Sequence, residues 1–160
     1  MSKAKLGVLI LVILSATVLA ACSGGGDNAR INAPWVTANV AGGTVSIPVS
    51  EVEKNKIEQF RFDTGSGNIA FLAYELDKQL YVRADICVPC RSEEFSLQGD
   101  VLICDTCGTV FSARTGEGIS GACVNFPKAA VTYELKNANV VLNGDDLVQA
   151  YVDTLKPGLP

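Results

Sequence analysis

The 160-residue chain contains no histidine, and this absence excludes several kinds of site. Ser-His and Cys-His catalysis, histidine-ligated zinc and covalent haem of the Cys-x-x-Cys-His type all need an imidazole. Basic residues are also few, 13 lysines and arginines against 17 acidic residues, and they are scattered along the chain. The resulting formal net charge of −4 argues against nucleic acid as a partner.

Long apolar runs are scarce too. The one exception, residues 6–21, counts sixteen residues, which is short of the roughly 20 that a membrane-spanning helix needs. Two lysines precede this run, and Leu19-Ala20-Ala21-Cys22 closes it, which resembles the lipobox of bacterial lipoproteins. The resemblance implies a signal peptide over residues 1–21 and acylation of Cys22 after cleavage. We therefore expect an extracytoplasmic protein, lipid-anchored to a bacterial membrane in the periplasm or at the cell surface.

The remaining chain divides into a linker and one domain. Residues 22–43 are rich in Gly, Ser, Ala and Asn without sustained periodicity, which predicts a flexible, lipidated tether. Residues 44–156 show short alternating apolar segments separated by turn residues, which predict an all-β body built from hairpins. Residues 145–155 instead have helical spacing and predict a C-terminal helix. Its expected apolar face consists of Leu147, Val148, Tyr151, Val152 and Leu155.

Two closely spaced cysteine pairs stand out in the domain, Cys87-Val-Pro-Cys90 and Cys104-Asp-Thr-Cys107. Such Cys-x-x-Cys turns, called knuckles below, can bring four thiolates to one tetrahedral ion or to the two irons of a small cluster. Gly108 follows the second pair, where a tight knuckle needs a positive φ. Four thiolates leave no open position for a hydrolytic zinc. Because exported proteins meet an oxidising environment, a pair of disulfides is the alternative to a metal.

Cys123 is the fifth cysteine of the domain, and a four-ligand site leaves it over. It is either a buried free thiol that packs as a small hydrophobe, or an accessory residue on a loop that covers the site. As an accessory it would lend a fifth thiolate or exchange with a ligand. The acidic residues near the knuckles, Asp85, Asp105 and Glu117, are expected to be solvated.

The second knuckle and the residues after it resemble the second half of a Rieske domain. There a Cys-x-x-His loop precedes Gly-x-x-Phe, a Thr-Gly turn and a closing hairpin, and this chain has Gly108 and Phe111 at the matching positions. Cys90 and Cys107 stand where the Rieske histidines would be. The resemblance implies a Rieske-like or rubredoxin-like antiparallel β-sandwich with both knuckle loops at one tip.

The chain is also similar, over about residues 44–150, to the FtrD-like family of membrane iron–sulfur proteins, which is associated with bacterial iron transport. The matching motifs are Asp85-Ile-Cys87-Val-Pro-Cys90, Gly99, Cys104-Asp-Thr-Cys107-Gly108-Thr-Val-Phe111 and Gly121-Ala-Cys123. The resemblance implies that the four knuckle cysteines ligate an iron–sulfur cluster, most simply [2Fe–2S], or a single iron. It also implies an iron permease or another redox protein as a partner.

Three functions remain open from the residues alone. The first is an electron carrier with iron on the four thiolates, the second a non-catalytic module that binds zinc or copper, and the third a thiol–disulfide exchange protein. No paired arginines precede the apolar run, so the chain lacks the signal for export of a folded protein. A chain that crosses unfolded must acquire its metal outside the cytoplasm, which favours zinc, copper(I) or disulfide chemistry, and thiolates suit both metals.

Overall fold

The computed structural model describes residues 29–158, so the predicted signal peptide and Cys22 lie outside the described residues. Within that range short strands prevail, as the alternating apolar pattern predicts, and two helices accompany them. The elements are β1 (Ile31–Asn32), β2 (Asn39–Ala41), β3 (Thr44–Pro48), α1 (Val49–Asn55), β4 (Ile57–Asp63), β5 (Asn68–Leu76), β6 (Gln79–Ala84), β7 (Phe95–Gln98), β8 (Val101–Cys104), β9 (Val110–Ser112), β10 (Gly118–Ser120), β11 (Tyr133–Lys136), β12 (Asn139–Asn143) and α2 (Gly144–Thr154).

The named strands form three sheets in which neighbouring strands run antiparallel. The strand orders are β1-β7-β8-β9-β10, β11-β12-β3-β2 and β4-β5-β6. The central strand of the three-stranded sheet, β5, is buried along most of its length and serves two cores. Phe71 and Ala73 point into one core, whereas Leu72 and Tyr74 point into the other. Successive side chains of a strand point to opposite faces, so the β4-β5-β6 sheet is packed on both sides.

The two cores have different contents. The first is wholly aliphatic and aromatic and includes Val45, Phe60, Val140 and Leu147, so it joins the four-stranded sheet and α2 to the three-stranded sheet. The second lies against the five-stranded sheet and is centred on aromatic and aliphatic side chains together with three cysteines: Phe95, Leu102, Phe111, Cys87, Cys104 and Cys123. The expected all-β sandwich is confirmed, and the cysteine site forms part of its second core.

Part of the predicted tether belongs to the folded body. Ile31 pairs with Leu97 across β1 and β7, and Asn39 pairs with Ser46 across β2 and β3. Trp35 bridges to Gln59 of β4. The structured part of the chain therefore begins well before residue 44, and the tether prediction extends too far along the sequence.

The C-terminal helix is present, but it buries a different face from the one expected. Asn143 caps it by accepting the backbone N–H of Asp145 at 2.8 Å. Leu147, Ala150 and Thr154 are buried, whereas Val148, Val152 and Leu155 are exposed. Thr154 turns inward because its hydroxyl accepts the backbone N–H of Ala129 at 2.9 Å. Among the described residues, the helices are too short to cross a membrane.

Candidate metal centre

The two knuckles extend from strands of two different sheets, β6 of the three-stranded sheet and β8 of the five-stranded sheet. The first follows β6, and the second joins β8, whose last residue is Cys104, to β9. The hydroxyl of Thr106 in the second knuckle lies 2.8 Å from that of Ser92 just after the first. The fold thus places both knuckles at one end of the sandwich, as predicted.

The knuckles have the same backbone geometry, which the difference in their sequences does not suggest. In each, the N–H of the residue after the second cysteine donates to the carbonyl of the first cysteine, and the first cysteine's own N–H donates five residues ahead. The bonds are Arg91 to Cys87 at 2.6 Å, Gly108 to Cys104 at 2.8 Å, Cys87 to Ser92 at 2.8 Å and Cys104 to Thr109 at 2.9 Å. Each knuckle therefore presents its two sulfur atoms in an equivalent way.

This geometry needs a positive φ after the second cysteine. Gly108 has φ +71°, as expected, but the equivalent residue of the first knuckle is Arg91, with φ +57°. A left-handed conformation strains a side chain that carries a Cβ, and glycine avoids that strain. Arg91 is an exposed residue, so its side chain offers no packing that would offset the strain.

Exchanging the residue type at these two positions is expected to change stability in opposite directions. Arg91→Gly should stabilise the metal-loaded domain by about 0.5–1 kcal/mol because it relieves the strain. Gly108→Ala should destabilise it by about 1–2 kcal/mol through the backbone alone, since a Cβ there meets no atom within 4 Å. Denaturant unfolding of both variants measures the two changes, and a shift of the same sign in both would contradict this account of the knuckles.

The four knuckle sulfur atoms converge on one point. All of them lie within 4.8 Å of one another. Cys87 and Cys107 are 3.7 Å apart at their sulfur atoms, and so are Cys90 and Cys104. These are non-bonded separations, because a disulfide holds its sulfur atoms at about 2.05 Å. Four thiolates each about 2.3 Å from one ion would lie about 3.8 Å apart, so the donor set fits a single tetrahedral metal.

The four thiols differ in exposure and acidity. Cys87 and Cys104 are buried, Cys90 is half-buried and Cys107 is exposed. Burial raises the pKa of Cys87 far above that of an ordinary thiol, and it raises the pKa of Cys90 to about 11. Burial also acts on Cys107, but hydrogen bonds from the Thr109 hydroxyl and N–H, together with those from the Cys104 and Cys90 thiols, lower the pKa of Cys107 to about 6. Full ionisation of the set thus calls for a cation among the sulfur atoms.

Thr109 is oriented to donate to Cys107. Its hydroxyl oxygen accepts the backbone N–H of Cys123 at 3.2 Å and lies 3.2 Å from the Cys107 sulfur. The hydroxyl hydrogen is therefore free to point at that sulfur, where it stabilises a thiolate.

We expect Cys107 to be the first thiol alkylated in the reduced, metal-free protein. The thiolate is the nucleophile, so the alkylation rate of Cys107 should rise as the pH increases through about 6. Iodoacetamide labelling from pH 5 to 9, followed by peptide mass mapping, measures this profile, and buried Cys87 is the internal control. A midpoint near the ordinary thiol value of about 8.5, or earlier labelling of Cys87, would contradict the assignment.

Cys123 lies beside the site, although it is on a different loop. Its side chain is 2% exposed, and its sulfur is 3.7 Å from that of Cys107. A buried free thiol, the first alternative for Cys123, predicts this burial. An accessory role, the second alternative, requires this short distance to Cys107. Whether it contributes to a metal centre stays a prediction.

Two buried charged groups near the site were not expected from the sequence. Asp85, expected to be solvated, is completely buried, and its carboxylate accepts from Gln59 at 2.9 Å. Lys128 is also completely buried, with its ammonium above the rings of Phe95 and Phe111. In the sequence Lys128 stands between Pro127 and Ala129. A surface lysine could have the same neighbours, so they do not indicate its burial.

Comparison with known proteins agrees with the site and the fold. A family model described as "Membrane iron-sulfur containing protein FtrD-like" matches residues 52–152. None of the curated proteins matches the chain. A solved structure titled "Complex of reduced oxygenase and oxidized ferredoxin in carbazole 1,9a-dioxygenase" contains a similar chain, with TM-score 0.53, 24% sequence identity, and coverage of 65% of this chain and 95% of that one. This similarity concerns the fold and agrees with the expected Rieske-like sandwich. Because the family match includes both knuckles and more than half of the chain, the protein belongs to the FtrD-like family of membrane iron–sulfur proteins.

Proposed function

We propose that this protein is an extracytoplasmic electron carrier whose redox centre is iron held by Cys87, Cys90, Cys104 and Cys107. The observation that carries the proposal is the convergence of four sulfur atoms within 4.8 Å of one another in a family described as iron–sulfur proteins. Iron held by four thiolates supplies one-electron chemistry when it is bound. The closed set of protein ligands favours electron transfer over catalysis, because it leaves no position for a substrate.

The spacing of the sulfur atoms favours a single iron. A [2Fe–2S] cluster divides its four cysteines between two irons and therefore holds the two pairs further apart than one ion does. All four sulfur atoms lie within 4.8 Å of one another, which is closer to the edge of a single tetrahedral site, about 3.8 Å, than two separated pairs would be. A [2Fe–2S] cluster on the same cysteines would require the knuckles to move apart, and it is the alternative form of the same function.

The residues around the sulfur atoms support a redox role. The backbone N–H of Ser92 donates to Cys90, and the N–H and hydroxyl of Thr109 donate to Cys107. Hydrogen bonds to thiolate sulfur stabilise the more negative, reduced state and so raise the reduction potential. Burial of Cys87 and Cys104 keeps water from one side of the site, whereas exposed Cys107 offers a short route for an electron to a docked partner.

Membrane attachment and partner follow from the other sequence features. The family is described as membrane-associated, and we propose that acylated Cys22 anchors this member to the extracytoplasmic face of the membrane. The partner would then be another membrane protein, either an iron permease, which would couple electron transfer to iron transport, or a separate redox protein. Cys22→Ala tests the anchor, because this variant should leave the detergent phase on phase partitioning.

Two other functions make distinct predictions. A zinc or copper module would use the same four sulfur atoms, since the site geometry does not select among metals that accept thiolates. A thiol–disulfide exchange protein would instead bind no metal and would carry one or two reducible bonds. With zinc or copper(I), or with no metal, the protein has no visible absorption that bleaches under mild reduction.

Potentiometric titration of the anaerobically purified, full-length protein in detergent tests the proposal. We expect an iron-dependent visible absorption that bleaches on reduction and returns on oxidation, with one iron per chain and no acid-labile sulfide. Two irons with two sulfides per chain would replace the single ion by the [2Fe–2S] alternative. A colourless protein that contains zinc, or no metal, would overturn the electron-carrier proposal.

A further inference from the structure

Lys128 has the most unusual environment of any charged side chain in the described part of the protein. Its side chain is 0% exposed, although lysine is rarely fully buried without a partner. The ammonium lies 4.5 Å from the centre of the Phe111 ring and 5.1 Å from that of Phe95. It donates one hydrogen bond, to the carbonyl of Ile86, the residue before Cys87. Lys128 is thus a buried positive charge next to the first knuckle.

The described residues provide no ordinary counter-ion for this charge. Within residues 29–158, the ion pairs all involve other residues, and none includes Lys128. The nearby acidic group is Asp85, but it makes no ion pair with Lys128, and its carboxylate accepts from Gln59 at 2.9 Å instead. Burial lowers the pKa of Lys128, and negative charge on Cys87, Asp85, Cys104 and Cys123 opposes this effect. An unpaired buried ammonium is strongly destabilising, so a strong negative charge close by is required.

A filled four-thiolate centre supplies that charge. Four thiolates carry −4, so with a divalent ion the centre has a net charge of −2, and with a trivalent ion −1. A desolvated anion of this kind also needs a nearby cation, because water is excluded from the buried side of the site. The Lys128 ammonium and the anionic metal centre therefore each offset the desolvation cost of the other.

The backbone around Lys128 is arranged to hold it in place. Its N–H donates to the carbonyl of Gly116 at 2.8 Å, and its own carbonyl accepts from Arg83 Nη1 at 2.7 Å. A Cβ at Gly116 would lie 2.2 Å from that carbonyl oxygen, so only glycine permits the close approach. The loop is therefore fixed on both sides of the residue whose side chain reaches the second core.

We propose that the Lys128 ammonium is the built-in counter-charge of the four-cysteine centre, and that it holds the metal more tightly and favours its reduced state. The ammonium acts through space on the thiolates and ligates nothing. One-electron reduction makes the centre more negative by one charge, so a fixed positive charge nearby stabilises the reduced form more than the oxidised form. The second effect rests on the proposed iron function, whereas the first applies to any divalent metal on the same sulfur atoms.

Lys128→Met tests the inference, because methionine preserves most of the apolar stem and removes the charge. Lys54→Met, an exposed lysine of α1, is the charge-matched control. Titration with Co²⁺ against a competing chelator measures affinity without any need for iron. We expect Lys128→Met to weaken Co²⁺ binding by about 10–100-fold and the control to leave it unchanged. In iron-loaded protein, the reduction potential of Lys128→Met should be lower than that of the wild type.

The two readouts separate the inference from the function on which it partly rests. If the wild type holds no redox-active iron, the proposed function fails, and Co²⁺ affinity still decides the role of Lys128. Equal Co²⁺ affinity in wild type and Lys128→Met would overturn the counter-charge role, and so would an unchanged potential in iron-loaded protein. A shift of the same size in Lys54→Met would overturn it as well, since the effect would then be one of net charge alone.

A second pair of variants covers the case in which Lys128→Met does not fold. The loss of Lys128 could leave Asp85 as a buried anion with only Gln59 as a donor, so Asp85→Asn is combined with Lys128→Met. The double variant is compared with Asp85→Asn alone in the same two measurements. Weaker Co²⁺ binding and a lower potential in the double variant support the counter-charge, and equality of the two proteins contradicts it.

Discussion

Replacing any one of Cys87, Cys90, Cys104 and Cys107 by serine is expected to abolish metal binding and to destabilise the domain by a similar amount in each case. A structural four-thiolate metal site contributes folding free energy on the order of 10 kcal/mol at neutral pH. The whole stability of a domain is typically about 5–15 kcal/mol, so each single variant should be strongly destabilised. Metal content and melting temperature of the four variants measure the effect.

Cys123→Ser is the matched control for this series. Its sulfur lies beside the site, but four ligands already complete a tetrahedral ion, so we expect this variant to retain the metal. Two disulfides would give a different pattern, in which variants behave in pairs and a double variant that lacks both members of a bridge resembles either single variant. Pairwise behaviour without bound metal would therefore contradict the single centre.

Arg83→Met is expected to cost about 3–5 kcal/mol, although Arg83 touches no cysteine. The Arg83 guanidinium is buried and donates to three separate oxygens: the Tyr74 hydroxyl at 2.9 Å, the Lys128 carbonyl at 2.7 Å and the Arg114 carbonyl at 2.6 Å. Methionine fills a similar volume but leaves the buried Tyr74 hydroxyl and Lys128 carbonyl, and the half-buried Arg114 carbonyl, without this donor. Because one of them belongs to Lys128, metal affinity should fall together with stability.

Arg61→Met is the control for the Arg83 prediction. Arg61 lies on β4 of the same three-stranded sheet, and its half-exposed guanidinium pairs with Glu93 at 2.8 Å and lies over the ring of Trp35. An exposed pair of this kind contributes about 1 kcal/mol or less. Guanidinium chloride unfolding of both variants compares the two arginines, and equal losses would contradict the view that the Arg83 network is a main support of the site.

The knuckles were predictable from the sequence because the spacing of cysteines is a local signal. Cys-x-x-Cys followed by Gly108 specifies a tight turn with a positive φ, and the structure confirms both features. The equal geometry of the first knuckle was less evident, since Arg91 is not a residue that indicates a positive φ. There the tertiary structure imposes a positive φ on Arg91, and this conformation is strained for a residue that carries a Cβ.

Features that depend on distant contacts were missed. The strand β1 has only two residues and no alternating pattern, and it forms because Ile31 pairs with Leu97 on β7. The helix α2 has apolar residues on more than one face, so their periodicity did not show that the buried face includes Thr154. The Thr154 hydroxyl accepts a hydrogen bond from the N–H of Ala129. The burial of Lys128 could not be predicted from the sequence, because it depends on the negative charge of the four-cysteine centre nearby.

The most direct test of the central claim is X-ray absorption spectroscopy at the iron edge of the full-length protein, purified anaerobically. The account predicts iron surrounded by four sulfur atoms at about 2.3 Å, with no second iron nearby and no lighter ligand. Cys123→Ser should give the same spectrum. Iron bound mainly by oxygen or nitrogen, or a protein in which zinc or disulfides occupy the four cysteines in place of iron, would contradict it.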